Sequence, residues 1–161
     1  MHSNSRAAPG ARPTKRNMVG MAIRKARAEW KGALRDGVGE VALGSGSFKG
    51  PYSFKSRFEN GTGTNPEELI GAAHAGCFTM ALTAILSQAG HPPAQISTDA
   101  AVHIEKVGDG FEITQIELST QGQVPGIDAA TFQKYAEDAK KGCPVSKALA
   151  GTKISLVAKF V

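Results

Sequence analysis

Cysteine is scarce in this chain: among 161 residues there are two, Cys77 and Cys143. Acid is missing from residues 1–27, which hold seven of the 19 Lys and Arg residues (Arg6, Arg12, Lys15, Arg16, Arg24, Lys25, Arg27). The rest of the chain therefore carries 12 basic against 14 acidic residues, so the basic pI belongs to a tail and not to a nucleic-acid-binding face. That tail lacks the apolar core of a secretory signal, and it reads as a disordered basic extension over residues 1–20, ahead of one domain over 21–161. Two cysteines without a signal point to a reducing, cytoplasmic setting, where a cysteine pair is more often catalytic than structural. Charge is missing from Leu69–Leu86, 18 residues that by length alone would suit a membrane span. The segment is rich in Ala and Gly and includes His74, Thr79 and Thr83, so the expectation is a helix buried on every side in a protein core, with no membrane partner. No glycine-rich phosphate loop and no Ser-His-Asp order stands out.

Alternation marks strands at Ile23–Trp30, Gly39–Leu43 and Tyr52–Phe58, a β-meander with a loop over Gly44–Gly50. A long helix follows. Asn65 caps it, Pro66 suits its first position, and Glu68 at the third completes a capping-box arrangement. Gly90-His91-Pro92-Pro93 stops it near Ala89. Ser97–Val107 and Phe111–Gln121 alternate around Gly108-Asp109-Gly110, a hairpin signal. Asp128 caps a helix to Lys141, Gly142 ends it, a short helix follows Pro144, and Ile154–Phe160 is a closing strand. The order β-β-β-α-β-β-α-α-β is an α+β pattern.

The two thiols sit in different settings. Cys77 lies mid-helix in apolar company, where burial raises a thiol pKa. Cys143 precedes Pro144 at a helix start, where free N–H groups favour a thiolate. Local physics therefore ranks Cys143 as the more acidic thiol, and Cys77 becomes reactive only if a neighbour such as Arg57, set between Phe54 and Phe58, ionises it. Of the two carboxylates at the helix start, Glu68 faces nearly opposite Cys77, whereas Glu67, ten residues away, lies about 80° off and is free of a capping duty. Ten residues rise about 15 Å, so Glu67 and Cys77 can share a site only if they come from different subunits. Gly71, Ala72, Ala75 and Gly76 form a small-residue face on which a second backbone could pack. His74 and Cys77, at i and i+3, could start a metal site, but His2, His91 and His103 are isolated and no third ligand is in view, so no metal is expected.

Arg57-Phe58-Glu59, then Gly63-Thr64-Asn65-Pro66-Glu67-Glu68-Leu69-Ile70-Gly71-Ala72-Ala73-His74-Ala75-Gly76-Cys77-Phe78, then Val124-Pro125-Gly126-Ile127 and Gly142-Cys143-Pro144-Val145-Ser146 resemble the OsmC/Ohr family, and within it the osmotically inducible OsmC branch. The resemblance spans about residues 21–161. It implies an intertwined homodimer in which a long central helix packs against curved antiparallel sheets. It also implies a thiol peroxidase that reduces organic hydroperoxides in stress defence, without metal, haem or flavin, and is reset by a thiol or dithiol reductant. The peroxidatic cysteine would be Cys77, the resolving cysteine Cys143, the activating arginine Arg57 and its carboxylate partner Glu67. The Ohr branch takes its arginine from an earlier strand, where Arg24 or Arg27 is a loose counterpart. The resemblance thus reverses the local ranking of the thiols. A ligand-binding dimer using the same apolar cleft and a disulfide-based redox sensor are the alternatives, and turnover separates both from an enzyme.

Overall fold

The computed structural model describes residues 22–161; the basic extension assigned to residues 1–20 lies outside the described residues. The elements are β1 (Ala26–Lys31), β2 (Val38–Leu43), β3 (Lys49–Tyr52), α1 (Phe54–Phe58), α2 (Pro66–Gln88), β4 (Gln95–Val107), β5 (Gly110–Gln123), α3 (Ala129–Gly142), α4 (Pro144–Ala148) and β6 (Lys153–Phe160). They form an α+β fold with two three-stranded sheets, β1-β2-β3 and β4-β5-β6.

Three expectations need correction. The third strand is Lys49–Tyr52, beginning in the last two residues of the stretch read as loop and ending at Tyr52, where the expected strand starts, and Phe54–Phe58 is a helical turn instead of a strand. Ser53 and Ser56 cap it reciprocally: Ser56 N–H donates to Ser53 Oγ at 3.0 Å and Ser53 N–H to Ser56 Oγ at 2.8 Å. Phe54 and Phe58, at i and i+4, then stack with centroids 5.0 Å apart. The second sheet is mixed, not wholly antiparallel: β4 and β5 form an antiparallel hairpin, but β6 runs parallel to β5. The chain reaches β6 through α3 and α4, and a crossover of that length brings the next strand back in the same direction. Finally, Asn65 Oδ1 accepts the Glu68 N–H at 2.8 Å, but the Glu68 carboxylate takes the Thr64 hydroxyl at 2.7 Å, so only one arm of the expected capping box forms.

The second sheet carries the core. Along β4 half-buried residues alternate with exposed ones, and α2 lies over β4 while α3 lies over β6. Phe78, Leu82 and Leu86 of α2 meet Leu118, Val124, Phe132, Ala136 and Ala139 in one cluster, in which Cys143 is fully buried. The β4–β5 turn is two residues, Gly108-Asp109, with Gly108 at φ +59°, the positive angle its first position needs.

The first sheet has no such core. Register puts Ala26 with Leu43, Ala28 with Val41, and Trp30 with Gly39 and Tyr52 on one face, while Arg27, Glu29, Lys31, Glu40 and Lys49 share the other. Gly39 is needed there, because a Cβ would clash with the Tyr52 ring that stacks on Trp30. This apolar face borders the start of α2, at Asn65, Pro66 and Leu69, and the aromatic rings of α1, and much of it is exposed. The long helix is likewise half-covered. Gly71, His74, Phe78, Leu82 and Leu86 are buried, whereas Ala72, Ala73, Gly76, Met80 and Ala84 are exposed, Met80 by 75%.

Candidate active site

Two pairs of side chains converge, at two places. The first is Arg57 and Glu67. The capped turn α1 is tied to the entry of α2 by Ser56 Oγ donating to Thr64 O at 2.8 Å and Asn65 Nδ2 donating to Ser56 O at 3.2 Å. This lays Arg57 against the first turn of α2. Arg57 Nε lies 3.2 Å from both Glu67 oxygens and its NH2 nitrogen donates to Oε1 at 2.7 Å, a forked pair. The Glu67 side chain is 7% exposed and Arg57 38%, so the carboxylate is the buried anchor and the guanidinium keeps an open edge. Its plane also rests on the Phe58 ring, 5.1 Å from the centroid. Arg57 forms the wall of an apolar cavity of about 450 Å³ lined also by Trp30, Tyr52, Phe54, Phe58 and Pro66.

The second pair is Cys77 and Cys143. Both are free thiols, with Sγ atoms 3.1 Å apart. Cys143 closes α3, donating its N–H to Ala139 O at 2.8 Å, and caps α4, with Pro144 next in line. Burial pushes the Cys77 thiol up, and its contact with Cys143 pushes the same way. Burial pushes Cys143 up as well, but it is outweighed by the N–H of Ser146, the Cys77 thiol, the Ser146 hydroxyl and the N–H of Val145, which together hold Cys143 below the ordinary thiol range. Within one chain Cys143 is thus the more acidic thiol, in the order that local reasoning expects.

The two pairs do not meet. Helix α2 runs unbroken from Pro66 to Gln88, and the ten residues from Glu67 to Cys77 rise about 15 Å along it. Cys77 does not line the cavity beside Arg57, and Arg57 is not among the groups that act on the Cys77 thiol. Nor do the small residues form one face. A Cβ on Gly71 would approach Ala100 O at 3.4 Å and Val102 Cγ2 at 3.5 Å of β4, whereas a Cβ on Gly76 would meet nothing within 4 Å. Gly71 packs inside the chain, and the open face is that of Ala72, Gly76 and Met80.

His74 does not lean toward a metal with Cys77. It is fully buried, and its Nε2 lies 2.8 Å from Ser146 Oγ. His74 and Ser146 both stand in the quoted motifs, but no local signal joins them; the packing of α4 on α2 brings them together.

The architecture and the chain's relatives agree. An organic hydroperoxide resistance protein from Elizabethkingia anophelis superposes with a TM-score of 0.68 at 24% identity, covering 87% of this chain and 99% of that one. One from Legionella pneumophila gives 0.68 at 22% identity, covering 86% and 99%. These show the fold. In sequence the chain is 51% identical to the peroxiredoxin OsmC of Escherichia coli over 127 residues, 78% of this chain and 89% of that protein. It is 39% identical to an organic hydroperoxide resistance protein of Xanthomonas axonopodis over 92 residues, 56% of this chain and 63% of that protein. The family model described as OsmC-like protein matches residues 59–157, a span that takes in Glu67 and both cysteines, and on these grounds the chain belongs to the OsmC-like family.

Proposed function

We propose that this chain is a cysteine-based peroxidase that reduces organic hydroperoxides to alcohols, acting as a homodimer in which Arg57 and Glu67 of one copy complete the site around Cys77 of the other. The observation that carries the reading is the pair of free thiols 3.1 Å apart on a chain 51% identical over 127 residues to a peroxiredoxin. The Cys77 thiolate attacks the terminal peroxide oxygen. The O–O bond breaks, the alkoxide leaves and takes a proton, and Cys77 becomes a sulfenic acid. Cys143 condenses with it to a disulfide and water, and an external thiol or dithiol restores both thiols by exchange.

Support for the dimer comes from what one chain leaves open. Much of the apolar face of β1–β3 and of the Ala72–Gly76–Met80 face of α2 is exposed, and exposed apolar patches mark interaction surfaces. A second copy would cover both, and a helix apolar all round would then be buried all round, as in a protein core instead of a membrane. It would also supply what Cys77 lacks. With burial raising its thiol pKa, Cys77 needs a fixed cation, and Arg57, steadied by Glu67, has a free edge for the charge that moves onto the peroxide oxygens as their bond breaks. The aromatic cavity beside Arg57 suits the organic part of the substrate. A cysteine pair that works by cycling between thiols and a disulfide suits a reducing compartment such as the cytoplasm.

The test is turnover. Catalytic amounts of protein with dithiothreitol should consume many equivalents of cumene hydroperoxide, and Cys77→Ser should consume none. Consumption that stops at one equivalent per chain, with dithiothreitol present, would favour a sensor over an enzyme.

A further inference from the structure

One polar cluster has no part in this scheme. His74 is fully buried on α2, one turn from Cys77; its Nε2 lies 2.8 Å from Ser146 Oγ, while its Nδ1 is buried and has no hydrogen-bond partner among the described residues. Ser146 is 6% exposed and sits in the first turn of α4, where its N–H reaches Cys143 Sγ at 3.5 Å. Three contacts thus connect His74 to Cys77: His74 to the Ser146 hydroxyl, the Ser146 N–H to Cys143 Sγ, and Cys143 Sγ to Cys77 Sγ.

The orphaned Nδ1 decides how this line is polarised. A proton on Nδ1 would be a buried donor with nothing to receive it, and leaving a donor unmade is costly. The proton therefore belongs on Nε2, which donates to Ser146 Oγ. With its oxygen accepting from His74, the Ser146 hydroxyl keeps its own proton free to donate, and Cys143 Sγ, already met by the Ser146 N–H at 3.5 Å, stands in the same turn. We propose that His74 is a positioning residue for the second half-reaction: by donating Nε2–H to Ser146 Oγ it aims the Ser146 hydroxyl at Cys143 and readies that sulfur to attack oxidised Cys77.

The inference rests on the peroxidase reading and concerns the step after peroxide has gone. The Cys143 thiol loses its proton, and the resulting thiolate, held by the N–H and O–H of Ser146, attacks the sulfur of Cys77 sulfenic acid. A sulfur–sulfur bond forms and the Cys77 sulfur–oxygen bond breaks. The oxygen leaves with the electron pair and, with the proton Cys143 gave up, departs as water. The sulfenic acid is the oxidant and the thiol the reductant, so no other reactant is required. Burial of His74 fits the task. It lowers the imidazole pKa and keeps the ring neutral, with one N–H to give in one direction. The same two Ser146 groups help to hold Cys143 below the ordinary thiol range although it is buried.

The experiment is a single turnover of the full chain with one equivalent of cumene hydroperoxide and no reductant. Peroxide loss is followed by stopped flow, and samples quenched with dimedone are read by intact mass, which separates sulfenic acid from disulfide. His74→Leu and Ser146→Ala should leave the rate of peroxide loss within about twofold, and slow disulfide formation by at least about tenfold, as expected for losing a hydrogen bond to a charged sulfur. The double variant should be no slower than either single one. His74→Gln, whose side-chain amide can offer a donor near Nε2, should recover most of the disulfide rate. In a Cys77→Ser background, ultraviolet titration of Cys143 should show a higher thiol pKa in Ser146→Ala. Should His74→Leu fail to fold, Ser146→Ala and His74→Gln carry the comparison. Disulfide rates unchanged in Ser146→Ala, or both steps slowed alike in the folded variants, overturn the inference. No peroxide loss by the wild type would instead remove the peroxidase reading beneath it.

Discussion

Gly76→Leu separates association from folding. A Cβ at position 76 meets nothing within 4 Å inside the chain, and the residue is exposed on α2. Within one chain the change is therefore free of clash, and replacing a mid-helix glycine favours the helix by up to about 1 kcal/mol. In a two-fold dimer with α2 against α2, the same leucine enters the interface twice. Overpacking a close-fitted site costs about 1–3 kcal/mol, hence about 2–6 kcal/mol per dimer. At about 1.4 kcal/mol per tenfold, the dimer dissociation constant should rise by about 30-fold to more than 10⁴-fold. Sedimentation velocity over a dilution series reads this directly, with circular dichroism to show that the helix content is kept. Peroxidase activity at low protein concentration should fall with the dimer and return as concentration rises. Gly71→Leu is the control: its Cβ lies 3.4 Å from Ala100 O and 3.5 Å from Val102 Cγ2, so the longer side chain presses on β4 and should lower the melting temperature of the fold itself. A Gly76→Leu protein with wild-type sedimentation and activity at every concentration would refute the packing of α2 on a second copy.

Other outcomes follow from the same geometry. Arg57→Ala should slow peroxide attack more than tenfold in stopped flow, at least about 1.4 kcal/mol of transition-state stabilisation, and Arg57→Lys should recover only part, because an ammonium cannot keep the forked contact with Glu67. Chains carrying Glu67→Ala and Cys77→Ser, each impaired alone, should regain part of the activity when co-expressed, since one of the two sites in their heterodimer is intact; verified heterodimers without recovery would place both residues of a site in one chain. Burial lowers the pKa of His74, so the unfolded chain binds its proton at a higher pH than the native one. The stability that the neutral ring contributes is complete above the unfolded value of about 6.5 and is lost as pH falls below it. The melting temperature should drop on acidification through that range, and drop less in His74→Gln.

Much of this was legible in the residues, for local reasons. Asn65-Pro66 and Gly90-His91-Pro92-Pro93 bound α2, Gly108-Asp109 fixes the hairpin, and Asp128 starts α3, each through chemistry confined to a few neighbours. Phe54–Phe58 misled because alternation of two aromatics looks the same in a short strand and in a capped turn. The Ser53–Ser56 pair and the i,i+4 spacing of the phenyl groups were the signs to weigh. The direction of β6 could not be read, since it depends on where α3 and α4 return the chain. Gly71 meets β4 and not the open face, which a helical wheel without its sheet cannot tell. The fork between Arg57 and Glu67 was expected and is present, while the role of Ser146 depends on a contact spanning 72 residues of sequence.

The central claim is that Cys77 attacks although, within one chain, Cys143 is the more acidic thiol. The most direct measurement adds one equivalent of cumene hydroperoxide to Cys143→Ser and, separately, to Cys77→Ser, and follows peroxide loss and protein mass. The account predicts rapid loss with Cys143→Ser, one oxygen gained at Cys77 and further oxidation with excess peroxide, and no rapid reaction with Cys77→Ser. Rapid oxidation of Cys143 in Cys77→Ser, with Cys143→Ser inert, would contradict it and exchange the roles of the two thiols.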